Sequence, residues 1–320
     1  MPILKTHYTP SYFFKNGHIN TMYSSLFRRT KPLSFKRKRI NTADDDFFDL
    51  DLLENGEDKI VLLCHGLEGS SDSKYIQATA ALLSQNGYAI AAMNYRFCSG
   101  EINKQLITYH SGRTEDLHAA IQTVLPNYKA VYLVGFSLGG NLVLKYNGDG
   151  IYALDPKVKA SVALSVPIDL HGSSVRLQAL ENRLYTWRFL HTLSKKVLLK
   201  HQQFPEQVPV EKLKKIKKLI DFDEYFTSAL NGFKDAKDYY TQASSKPFLK
   251  SIIRPTLLIN ALDDPFLSES CFPTKAATEN PHFSLMIPQY GGHVGFVSKE
   301  NYYWSEQQIL GFLEGYSLKI

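Results

Sequence analysis

A serine with a glycine two residues away on either side stands at Gly135-Phe136-Ser137-Leu138-Gly139. An apolar run at 131–134 precedes it, and a stretch of helical character at 141–146 follows. A strand that turns into a helix so abruptly leaves no room for a Cβ beside the neighbouring backbone, which is the reason for the glycines. The serine between them sits at strained backbone angles, and the strain lifts its hydroxyl clear of the sheet. A hydroxyl so placed attacks a carbonyl carbon only after a base has taken its proton. Histidine suits that task because its pKa lies near neutrality, and a carboxylate fixes its tautomer.

Two late loops offer the partners. Asn260-Ala261-Leu262-Asp263-Asp264-Pro265 follows one apolar run, and Gln289-Tyr290-Gly291-Gly292-His293-Val294-Gly295 follows the next. His293, among glycines that let its loop reach over the sheet edge, is the candidate base. Counting three positions from Ala261 selects Asp264 as the acid. Asp263 is the alternative acid; whichever of the two is not the acid caps the loop backbone or the following helix. Charge that develops on the attacked oxygen needs two backbone N–H donors. Leu138, at the N-terminus of the following helix, supplies one. Leu67, in the loop after His65-Gly66, supplies the other. His65 reads as a prop of that loop. Tyr109-His110-Ser111-Gly112-Arg113-Thr114-Glu115-Asp116-Leu117 reads as a loop entering a helix, with Thr114 as N-cap and His110 and Asp116 supporting the core.

The elements that must position these residues follow from periodicity. Apolar runs at 59–64, 88–95, 128–135, 159–166, 254–260 and 283–287 read as buried strands, and 46–53 as an earlier one. Residues 73–85, 114–125 and 302–312 read as helices. Strand and helix alternate, which predicts an α/β protein with a mostly parallel sheet covered on both faces. From about residue 168 to 250 the rhythm breaks into helical sequence without a clear strand. That block predicts a helical cap inserted into a single domain spanning 1–320. Its aromatics (Tyr185, Trp187, Phe189, Phe222, Tyr225, Phe226) either line an apolar acyl pocket or form the cap's own core.

Composition narrows the classes. Apolar content of 44% and charged content of 21% are ordinary for a soluble globular chain. No segment approaches the ~18 uninterrupted apolar residues of a membrane span. The N-terminus lacks the pattern of a secretory signal. Cys64, Cys98 and Cys271 are odd in number and widely spaced, which predicts reduced thiols and a cytoplasmic protein. No metal-ligand spacing occurs, and the chemistry of the candidate residues calls for no cofactor. The net charge of +6 comes largely from clusters at 28–39 and 212–218. These read as solvated faces, or as contacts to anionic lipid surfaces or acidic substrates. No nucleic-acid module accompanies them.

Together, His65-Gly66-Leu67-Glu68-Gly69-Ser70, the cluster from Tyr109, Gly135 to Asn141, Asn260 to Pro265, Tyr290 to Phe296 and the opening Asn16-Gly17-His18-Ile19-Asn20-Thr21 resemble the YheT-like family of α/β-hydrolases. The resemblance spans nearly the whole chain. It implies the α/β-hydrolase fold and acyl-group chemistry by a Ser-Asp-His triad, carried here by Ser137, Asp264 and His293. The expected function is a serine carboxylesterase acting on small or medium-chain esters through an acyl-enzyme. Two rivals stand beside it: an acyltransferase that passes the acyl group to an alcohol, and a non-catalytic binding protein on a hydrolase scaffold.

Overall fold

A computed structural model describes residues 3–317 of the protein. In chain order its first half contains β1 (Ile3–Leu4), α1 (Gly17–Leu26), β2 (Lys36–Asn41), β3 (Phe47–Leu53), β4 (Lys59–Cys64), α2 (Lys74–Gln85), β5 (Ala89–Asn94), α3 (Thr114–Val124), β6 (Ala130–Phe136) and α4 (Leu138–Gly148). After β7 (Val158–Leu164) come α5 (Leu170–Arg176), the long α6 (Arg183–Gln203), and the short α7 (Leu219–Phe222), α8 (Ser228–Leu230) and α9 (Ala236–Ala243). The chain closes with β8 (Thr256–Ile259), α10 (Thr274–Glu279), β9 (Phe283–Met286) and α11 (Trp304–Ser317).

The strands form one sheet in the order β1-β9-β8-β7-β6-β4-β5-β3-β2. Neighbours from β1 to β5 are parallel; β3 runs antiparallel to both β5 and β2. The near-continuous apolar runs have a direct cause. In β4, Ile60, Leu62 and Cys64 pack into the core on one face, while Val61 and Leu63 pack into the core on the other. A strand covered on both faces needs an apolar residue at every position. All the strands read from the sequence are present, displaced by a residue or two at their ends.

Two strands and one cap differ from the sequence reading. β1 is only two residues long and adds to β9 at the sheet edge. β2, Lys36-Arg37-Lys38-Arg39-Ile40-Asn41, begins in the last part of the first basic cluster and carries almost no apolar signal. It is the opposite edge strand, where charge discourages pairing with another chain. Its arginines are not free: Arg37 grips Asp51 at 2.7 Å and 2.8 Å, and Arg39 reaches Asp49 and Glu101. Thr114 is the first helical residue of α3 and not its cap, which is Arg113 without a side-chain cap bond. Asp116 in that first turn instead holds the buried Arg96 with two 2.8 Å bonds.

No helix among the described residues is long and apolar enough to cross a membrane.

Candidate active site

Ser137 is the single residue between β6 and α4, with φ 53° and ψ −118°. Such angles are uncommon for a residue with a Cβ and persist only where the surroundings over-determine them. Here they do. A Cβ on Gly135 would strike the backbone of Gly139, and one on Gly139 would strike the Cys64 carbonyl of the adjacent strand. The turn is therefore locked between two strands and a helix, and the Ser137 side chain has only one direction left.

That direction ends on the imidazole of His293. Ser137 Oγ lies 2.9 Å from His293 Nε2, and His293 Nδ1 lies 2.9 Å from Asp264 Oδ2. Asp264 leaves the loop after β8; its side chain is fully shielded, and its other oxygen accepts the Phe266 N–H at 2.9 Å. With the carboxylate on Nδ1, the Nδ1–H tautomer is favoured and Nε2 is left to accept from the serine. Phe266 also stacks obliquely on the His293 ring at 4.2 Å. Asp263 points away. Its Oδ1 accepts the Gly292 N–H at 2.8 Å, so it ties its own loop to the histidine loop. Burial pushes its pKa up to about 6, the Gly292 N–H opposes that, and the charge of Asp264 adds to the rise.

The histidine loop is a sequence of unusual turns. Gly292, Val294 and Phe296 all have positive φ, the last two without the freedom of glycine. What holds them is α1. Thr21 Oγ1 accepts the His293 N–H at 2.8 Å, Asn20 Oδ1 accepts the Val297 N–H at 3.0 Å, and the Ser24 hydroxyl donates to the Val294 carbonyl at 3.3 Å. From beneath, Ser165 Oγ accepts the Val294 N–H at 2.9 Å. The chain is anchored just past the end of α1: Arg28 and Glu306 form a buried pair whose second bond is 2.8 Å. Sequence reasoning missed these supports. The stretch 16–21 entered only as part of a resemblance, although buried polar residues on a short helix are the signal of something to hold.

On the other side of Ser137 lies the loop after β4. His65 is fully buried; its Nδ1 donates to the Gly66 carbonyl at 2.7 Å and its Nε2 faces the Tyr95 N–H at 3.4 Å. Burial pushes its pKa down to about 3, so it stays neutral. Tyr75 Oη accepts the Gly66 N–H at 2.8 Å. Leu67 and Leu138 both line the cavity that opens at Ser137. Among the described residues neither N–H has a protein partner, and for Leu138 this follows from its place as first residue of α4. The next residue, Glu68, has φ 57°. Its carboxylate takes bonds from Tyr109 Oη (2.7 Å) and from Lys196 Nζ (2.8 Å), which arrives from α6. His110 is buried, neutral with a pKa near 3, and accepts the Gly112 N–H, so it supports its loop at the cavity wall.

The cavity has a volume of about 140 Å³ and runs from Ser137 under the helices between β7 and β8. Leu67, Leu193, Val197, Phe222, Phe226 and Leu230 are among its walls. Of the six aromatics read from the sequence, Phe189, Phe222 and Phe226 line it. Tyr225 is packed among apolar side chains mostly from the helices between β7 and β8. Tyr185 stacks on His18 and meets Phe266 edge to face, and Trp187 is 63% exposed. The two sequence-based alternatives are thus divided between residues.

Comparison with known proteins agrees with this architecture. A family model described as the alpha/beta hydrolase fold matches residues 59–299. YheT of Escherichia coli (strain K12) is 32% identical over 324 residues, covering 97% of this chain and 93% of that protein. The human protein named Phospholipase ABHD3 is 32% identical over 308 residues, covering 92% of this chain and 75% of its own. In fold alone, the Pyrococcus furiosus esterase Pf2001 superposes with a TM-score of 0.60 at 17% identity, over 90% of this chain and 98% of that one. The chain belongs to the YheT-like family of α/β-hydrolases.

Proposed function

We propose that the protein is a serine carboxylesterase acting on small or medium-chain esters. Ser137 is its nucleophile, His293 its general base and acid, and Asp264 the carboxylate that orients His293. The observation that carries the reading is the unbroken chain from Ser137 Oγ through His293 to Asp264, each step 2.9 Å, at the mouth of an apolar cavity.

Ser137 Oγ attacks the ester carbonyl carbon as His293 Nε2 takes its proton. Asp264 stabilises the imidazolium without becoming protonated itself. The tetrahedral oxyanion rests on the Leu67 and Leu138 N–H groups, and the α4 N-terminus adds its partial positive charge. His293 then gives the proton to the departing alcohol, and the acyl group stays on Ser137. Water enters, loses a proton to His293 and attacks the acyl carbon; Ser137 recovers its proton as the carboxylic acid leaves. The acyl chain lies along the cavity wall of Leu193, Val197, Phe222 and Phe226, where shielding of apolar carbon favours binding. Residues from about 168 to 250 act as a cap on a single α/β-hydrolase domain, keeping water off the acyl-enzyme. The three free cysteines suit a reducing compartment, the cytoplasm.

A fluorophosphonate probe tests the nucleophile. The wild-type protein becomes labelled and loses ester turnover, while Ser137→Ala is neither labelled nor active above a residual rate. Labelling of Ser137→Ala at the wild-type rate rejects the assignment. An intact fold that turns over no ester across a chain-length panel rejects the activity.

A further inference from the structure

Large apolar side chains lie open to solvent on two elements that touch each other beside the site. From the N-terminal side come Phe13 (73% exposed), Leu26 and Phe27; from the start of the insertion come Leu180, Leu184 and Trp187. The elements are joined directly. His18 of α1 stacks on Tyr185 of α6 with ring centroids 5.9 Å apart, and Arg188 of α6 lies 3.4 Å from Ser25 Oγ. Single exposed apolar residues need no explanation, but a cluster of this kind marks a contact surface.

The charge on this surface is predominantly positive. No acidic residue occurs before Asp44, and none occurs within α6. Lys15, Arg29 and Lys31 on one side and Arg183, Arg188 and Lys195 on the other are exposed. The nearest acid of the insertion, Glu181, is held by Arg176 at 2.7 Å. Exposed aromatic and aliphatic side chains interspersed with unopposed cations are what an anionic lipid interface accommodates: the apolar groups enter the acyl boundary and the cations meet lipid phosphates. A second copy of the chain fits worse, because a two-fold contact would bring the cations face to face.

We infer that this α1–α6 face docks the protein on anionic lipid bilayers. The docking also orients the site. Opposite Trp187 and Leu184, the same α6 turns Phe189 and Leu193 into the cavity, and Tyr185 packs on Phe266, which packs on His293. The bilayer surface therefore lies against the rim of the cavity. This inference stands apart from the catalytic reading, since a catalytically dead protein would bind equally well.

The test is sedimentation with vesicles of phosphatidylcholine alone or mixed with phosphatidylglycerol, with tryptophan emission, from the exposed Trp187 and from Trp304, followed in parallel. The expected result is binding to the mixed vesicles with a blue shift, weakened roughly tenfold or more in neutral vesicles and in high salt. Arg183→Glu with Arg188→Glu lowers binding to mixed vesicles by a similar factor. Leu184→Ser with Trp187→Ser abolishes the sedimentation with vesicles, and Leu184→Ser alone reduces the blue shift, while hydrolysis of a water-soluble ester is unchanged. The inference is overturned by any one of three results: no binding to mixed vesicles at low salt, binding that both double variants leave intact, or light scattering that shows a dimer which Leu184→Ser with Trp187→Ser converts to monomer.

Discussion

The loop that carries His293 and the loop that carries Leu67 both turn over the carboxyl ends of the strands, and both hold residues at positive φ. Their supports differ in kind. The histidine loop is pinned by short neutral hydrogen bonds from Thr21, Asn20, Ser24 and Ser165, three of them on one helix. The Leu67 loop is also pinned at its backbone, by Tyr75 at the Gly66 N–H and Tyr109 at the Glu68 N–H, but its Glu68 carboxylate carries an added ionic tie to Lys196, at the end of a long side chain from α6. Burial alone would push the Lys196 ammonium down, but Cys98 and Glu68 outweigh it and hold its pKa above the usual lysine value. A loop pinned at its backbone keeps one geometry whatever fills the cavity. A loop that is pinned at its backbone but also tied to α6 keeps its outline and shifts in detail with the seating of α6. In the proposed mechanism the base is therefore preset, and one oxyanion donor depends on the cap.

The sharpest separation lies within the histidine loop's own support. Asp264→Asn leaves the shape intact but offers Nδ1 the wrong tautomeric partner, and kcat falls by about 10⁴-fold. Asp263→Asn keeps an oxygen for the Gly292 N–H, and kcat stays within about threefold of wild type. Steady-state kinetics on one ester decide it; equal losses would mean that the two carboxylates share the role. Next in size is the anchor of α1. Arg28→Met strands the buried Glu306 carboxylate and costs about 3–5 kcal/mol in chemical denaturation. The Ser137–His293 geometry depends on α1, so kcat falls before the sheet unfolds.

How much of this could be read in the sequence follows the same division. Buried parallel strands announce themselves, because every buried position of β4, from Ile60 to Cys64, is apolar and β6 carries no charged residue. Ser137 directly follows β6, and Asp264 and His293 lie in the loops that follow β8 and β9, so their places in the chain already bring them to the carboxyl edge of the sheet. The edge strand β2 was hidden because its exposed positions carry Lys and Arg, which no periodicity marks as strand. Lys196 and Thr21 were hidden for another reason. Their roles are tertiary: each acts on a loop more than a hundred residues away, and neither α6 nor α1 carries a local pattern that names its partner.

Thr21 gives the next effect. Thr21→Val keeps the shape of the side chain and leaves the His293 N–H without an acceptor, a cost of about 1–3 kcal/mol. The loss appears in kcat with KM unchanged, and Thr21→Ser restores it.

The smallest effect tests the contrast between the loops most directly. Lys196→Met removes the tie from α6 and leaves the Glu68 carboxylate with Tyr109 alone. The donor at Leu67 is displaced but not lost, so the fall in kcat is about tenfold, well below the 10²–10³-fold cost of deleting such a donor. The fall should shrink as the acyl chain lengthens, because a longer chain fills the cavity against Leu193 and Val197 and seats α6 without the ion pair. The loss in Thr21→Val should be the same for every chain length. Chain-length series on the two variants therefore give one flat line and one slope; two flat lines would mean that the Leu67 loop is as firmly preset as the histidine loop and that the insertion has no part in placing it.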